Sequence, residues 1–163
     1  MRAVRRRKAW KGLITGALAG LAGSFAMSQF HALLPKIEEP SPEKGEDSTV
    51  KAASAIAQDI FHCELTPRQK EIAGPAVHYA FGAAMGALYG TAVELAQPAC
   101  TGWGMPFGAA VWLGAHVITV PALGLSEPVT ESSPASEAAE FAAHLVYGTV
   151  TEGLRSLVRA RLG

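Results

Sequence analysis

The sequence predicts an all-α fold: a four-helix transmembrane bundle with both termini cytoplasmic and a short amphipathic helix in the first outer segment. Three observations predict it. Charged residues are 17% of the 163, below the roughly 25% of soluble domains, and hydrophobic residues are 49%. The charges are segregated, so long, nearly uncharged stretches remain between them. Within those stretches small residues recur every fourth position, and basic residues gather at both chain ends.

The first predicted span is residues 12–34, a helix about 34 Å long that ends at Pro35. Its ridge of Gly12, Gly16, Gly20, Ser24 and Ser28 lies at helical spacing. Apolar side chains gain little by leaving lipid tails for one another. Close approach of backbones across small residues drives helix association instead.

The outer segment 35–71 follows. "PSPEKGEDS" is flexible by composition, and "TVKAASAIAQDIF" puts Val50, Ala53, Ala57 and Ile60 on one face of a short interfacial helix. Thr66, Pro67 and Gln69 form a helix start with a capping box, so the second helix begins before its span at 72–96. Gly74-Pro75 predicts a kink there. Gly74, His78, Gly82, Gly86, Gly90 and Glu94 repeat the every-fourth pattern.

The third span, 103–123, carries Gly104, Gly108, Trp112 and His116 in such a row, and the fourth, 137–158, carries Glu140, His144, Gly148 and Glu152. The fourth is the most polar and needs neighbours to shield its charges. These rows predict helix packing through Gly12, Gly16, Gly20, Ser24, Ser28, Gly82, Gly86, Gly90 and Gly148. The single domain spans 1–163.

Charge sets the topology. The basic tail 1–11 holds six Lys or Arg and no acid, and Arg155, Arg159 and Arg161 lie near the other end. Both ends therefore fall inside. Residues 35–71 hold five basic and eight acidic residues, and 124–136 hold only Glu127 and Glu131, as outer segments should. Trp10 and Trp103 fall at the inner interface. Two competing readings remain: a cleavable signal ending near Ala26-Met27-Ser28, with Arg6-Arg7 as a twin-arginine feature, and a soluble all-α protein. The basic tail lacks aromatic interleaving and any nucleic-acid motif, so the partner it implies is the lipid bilayer, not nucleic acid. A homo-oligomer or a membrane-protein partner fits the glycine rows.

The candidate site is an outer-leaflet polar cluster of His78, His116, Glu140 and His144. Each histidine lies about 10 Å inside the outer edge of its span. Ser28, Gln29 and His31 point to the same end, and Glu137 sits at the outer boundary. Ionisable groups at membrane depth are costly and usually face a bundle interior or a water-filled cavity. Imidazoles there lock helices together, relay protons or bind a transition metal, for which His78, His116 and His144 are the candidates. Glu140 would fix the His144 tautomer. Glu152 and Arg155 form a local pair, and Glu94 snorkels or pairs at the inner end. His62-Cys63 is a second, weaker place for a soft metal. Cys63 and Cys100 give no ligand spacing or disulfide framework. No HExxH, GxSxG, Walker or dinucleotide motif appears, so no catalytic residue is assigned.

From "HVITVPALGLSEPVTESSPASEAAEFAAHLVYG", with its histidine ahead of Pro121, Pro128, Glu140 and His144-Leu145-Val146, the chain resembles the YagU-like family of uncharacterised bacterial inner-membrane proteins. "AVHYAFGAAMGALYG" adds to the likeness. The resemblance implies a multispan protein of the bacterial inner membrane and carries no activity, cofactor or ligand. The functional expectation is a transport, channel or proton-handling component, the alternative a structural or assembly subunit packing through small-residue faces.

Overall fold

The computed structural model describes residues 2–34, 47–96 and 102–162, and every regular element among them is helical. The Pro/Glu-rich stretch before Asp47, residues 97–101 with Cys100, where the sequence suggests an inner turn, and the side chains of the first eight residues lie outside that description. Helix α1 is Arg2–Leu33, so helix begins inside the stretch expected as a tail. Helix α2 is Ser48–Phe61, capped by the Asp47 carboxylate, which accepts from the Thr49 N–H at 2.8 Å. Helix α3 is Pro67–Leu95. Its start is the capping box expected from sequence: Thr66 Oγ1 accepts from Gln69 N–H, and Gln69 Oε1 accepts from Thr66 N–H. Helix α3 stays helical through Gly74-Pro75.

The third long element is not uniform. Helix α4, Met105–Val111, passes into a π-helical stretch, Trp112–Thr119, and then into α5, Val120–Ala122. Together they make one rod, here the third rod. Helix α6 is Pro134–Arg161, opened by Ser133, whose hydroxyl accepts from the Ser136 N–H. Two of the four expected spans, Ala9–Leu33 and Gly102–Ala122, are long and apolar enough to cross a membrane by length and composition. Helix α3 dilutes its apolar content with Gly, His, Tyr and Pro, and α6 interrupts its own with Glu and Arg.

The four long rods alternate in direction. Gly12, Gly16 and Gly20 of α1 face Gly90, Gly86 and Gly82 of α3, so that a Cβ added to any of the first three would overlap the carbonyl oxygen opposite. Ser24 continues the seam: its carbonyl oxygen lies 3.4 Å from His78 Nε2. A second seam joins the third rod to α6, with Gly104 against Gly148 and Gly108 against the His144 backbone. Gly23 brings α1 onto Tyr147 and Thr151 of α6. Between the seams lies a small aromatic core, in which Phe107 stacks on Tyr89 at 4.2 Å between ring centroids and packs on Tyr147. The Tyr147 hydroxyl donates to the Gly82 carbonyl at 2.7 Å, tying α6 to α3.

The residues are sorted by size in the reverse of a water-soluble bundle. Thr15, Ala19, Ser24, Ala143 and Thr151 are almost fully buried, while Leu13, Leu18, Phe25, Leu88, Leu113 and Leu157 are exposed. Helix α2 packs mainly on α3, through Val50 against Gly74, with Ala53 and Ala57 buried. Of the face read from the sequence, Ala53 and Ala57 are buried, while Ile60 is 65% exposed.

The seams predict a graded set of stabilities. Gly16→Ala, Gly86→Ala and Gly148→Ala should each lose about 1–3 kcal/mol in thermal melts of the detergent-solubilised protein, since the added Cβ meets backbone. Gly153→Ala should hold or gain stability, because a Cβ there meets nothing within 4 Å. Identical melting of all four would show that the backbones do not approach as described.

Candidate functional site

The polar cluster is built where the two seams run toward the α2 end of the bundle. His144 occupies the next place after Gly148 in the α6 row and is buried, 8% exposed. Its Nδ1 lies 2.8 Å from the carbonyl oxygen of Glu140. A carbonyl only accepts, so Nδ1 carries the hydrogen, and Nε2 of the neutral ring is left as an acceptor. The Glu140 main chain thus sets the tautomer that its carboxylate was expected to set. That carboxylate turns instead toward α1, 3.6 Å from His31 Nε2.

His116 lies in the π-helical stretch, its ring centroid 6.0 Å from that of His144. Its Nε2 is 3.1 Å from Glu137 Oε2. Trp112, one turn earlier, stacks on the His116 ring and meets Phe141 edge-on, closing one side. Trp112 Nε1 is buried and has no hydrogen-bond partner among the described residues. His78 belongs to the other seam, with Nε2 toward the Ser24 carbonyl and its ring edge-on to Tyr79.

The structure therefore brings His116 and His144 together and adds two partners, His31 and Glu137. Glu137, Glu140 and His144 share one helix face at three- and four-residue spacing, a signal that could have moved Glu137 from the boundary into the cluster. His31 lies one helical turn beyond Ser28 on the α1 ridge. Of the other ridge residues, Ser28 donates back to the Ser24 carbonyl at 3.0 Å. Among the described residues no three His, Cys, Asp or Glu side chains gather so as to hold a metal ion. His62 ends α2 in a left-handed conformation, and Cys63 is exposed.

The opposite end of the bundle is also polar but differently organised. Arg155 donates to both oxygens of Glu152, at 2.7 and 2.8 Å, and all of this is buried. Arg159 of α6 reaches Glu94 of α3, with Nε 2.5 Å from Oε1. Lys11 donates to the Leu162 carbonyl. Every ionic contact here involves a full guanidinium or ammonium. The ionic contacts at the first end instead run through imidazole.

A family model described as a protein of unknown function, DUF1440, matches residues 50–153, more than half of the chain, and the chain belongs to that family. The matched stretch contains His78, His116, Glu137, Glu140 and His144, while α1 and His31 precede it. No curated protein and no solved structure matches the chain.

The Glu94–Arg159 bridge predicts strong coupling. Arg159→Met alone should cost about 3–5 kcal/mol by stranding the Glu94 carboxylate, and adding Glu94→Gln should restore part of the loss. Thermal melts of the two single variants and the double variant check this; simple addition of the losses would show the two residues act independently.

Proposed function

We propose that this member of the family is a four-span protein of the bacterial inner membrane that handles protons, or a proton-coupled solute, through its histidine end. The bilayer placement is supported by the inverted sorting of sizes, with Gly, Ser and Thr inside and Leu and Phe outside. A lipid-facing bundle needs its apolar bulk outside and close backbones within. On this reading α3 and α6 are spans as well, α6 keeping Glu152 and Arg155 against its neighbours. The basic tail and the arginines of α6 place both termini inside. The likeness to YagU-like proteins agrees with this placement.

The observation that carries the proton reading is the convergence of imidazole and carboxylate from three helices. His31 pairs with Glu140, the Glu140 carbonyl holds His144, His144 lies beside His116, and His116 pairs with Glu137. Each imidazole can take a proton on one nitrogen and release one from the other. The Glu140 carbonyl cannot relay a proton, so the path from α1 to the third rod would run through one water from the Glu140 carboxylate to His144 Nε2 and another from His144 to His116.

Two experiments test it. With Cys100→Ser, Cys63 is the sole thiol; a membrane-impermeant maleimide should label it in spheroplasts and not in inverted vesicles. The reverse pattern would overturn the topology. Reconstituted in liposomes, the protein should speed the decay of an imposed pH gradient, and Glu140→Gln/His144→Ala should return the decay to that of protein-free vesicles. Decay unchanged by the double substitution would remove the cluster from proton movement.

A further inference from the structure

We propose that the cleft between α3 and the third rod binds one acyl chain of a membrane lipid. The inference rests on the bilayer placement above and adds a ligand to it. Near α2 the two rods enclose a cavity of about 490 Å³, within the roughly 300–1,000 Å³ usual for small-molecule sites. Its walls are Phe81 and Met85 of α3 and Val111, Ala115, Val120 and Leu123 of the third rod.

The cavity follows from how the rods pack. Toward the other end α3 and the third rod are held together by the Tyr89–Phe107 stack. Beyond Val111 the rod becomes π-helical, and no residue of that stretch is fully buried. Gly114 sits in the wall, and a Cβ built on it meets nothing within 4 Å. Phe81 and Leu123 belong both to the wall and to the exposed surface, so the cavity opens sideways, toward the lipid tails of a bilayer.

Its polarity runs in one direction. Ser48 and Thr49 at the start of α2, with His78 below them, supply polar side chains at one end, and the rest of the lining is largely apolar. That order, polar at the α2 end and apolar along the spans, matches a lipid lying parallel to the helices. Apolar walls that face one another across such a space forfeit dispersion unless apolar atoms lie between them. The acyl chain is the apolar group that a bilayer presents at the opening.

The test is native mass spectrometry of the full chain released from its own membranes. The wild type should retain one lipid per chain. Gly114→Leu and Ala110→Phe, which fill the cavity from the rod, should lower that occupancy by about fivefold or more, while Gly153→Leu, at an open position on α6, should not. Melting temperature checks that each variant folds, and two filling variants guard against failure of one. A second arm distinguishes the source: diazirine placed in the acyl chain of phosphatidylglycerol should label the α3 and third-rod walls, and label from a free diazirine fatty acid should be displaced by phosphatidylglycerol. Equal lipid occupancy in the wild type and both filled variants, or none in the wild type, overturns the proposal. Cys63 labelling decides the bilayer placement separately, so failure of lipid retention alone leaves that placement standing.

Discussion

The structure depends on backbone lying against backbone. Along α1 and α3, three pairs of glycines meet so closely that no Cβ fits between one helix and the carbonyl oxygens of the other. A second, shorter seam does the same for the third rod and α6. Such contacts give up side-chain burial, the main source of stability in water. They gain dispersion over a large, well-matched area instead, and glycine loses no rotamer freedom in making them. A bundle held this way keeps its large side chains for the outside, where Leu, Ile and Phe are found.

The seams also explain where the polar groups lie. Moving toward α2, each row of small residues reaches a histidine: His78 after Gly82 on α3 and His144 after Gly148 on α6. Gly108 still meets the His144 backbone, but beyond it the third rod presents Trp112 and His116, which are too large for backbone contact, so side chains fill the space. His144 and His116 meet in it, with Glu137 and the Glu140–His31 pair alongside. The π-helical stretch of the third rod lies at the same level. Seam, histidine and cavity are thus consecutive parts of one arrangement.

Much of this was legible in the sequence because helical spacing is a local property. The Thr66–Gln69 capping box, the rows Gly12-Gly16-Gly20 and Gly82-Gly86-Gly90, and the Glu152–Arg155 pair all involve residues three or four apart. What was not legible required knowing which rows face each other. Glu140 sits one turn before His144, which suggested a carboxylate-to-imidazole contact, yet its side chain crosses to His31 on another helix. Arg159 finds Glu94 across the bundle for the same reason. The π-helical stretch has no comparable signal, since "WLGAHVIT" reads as ordinary apolar helix and its widening depends on packing. The long helices divide likewise: two are long and apolar enough to cross a membrane by composition, and two carry polar groups whose shielding only the tertiary structure shows.

Helix α6 makes that last point most sharply. Its buried residues are Ala143, His144, Tyr147, Gly148, Thr151, Glu152 and Arg155, a face along its middle that is more polar than the face it exposes there. Averaged along the chain, those residues disqualify it as apolar. Sorted by face, they point at α1, α3 and the third rod, and each charge among them has a partner. Arg155 holds Glu152, Tyr147 reaches Gly82, and Arg159 at the edge reaches Glu94. The helix that touches every other long rod thus buries a polar face. In lipid that combination is self-consistent, because polar groups are tolerated only where neighbours surround them on all sides. The same residues that lower the apolar character of α6 along the chain are the ones that fix its place in the bundle.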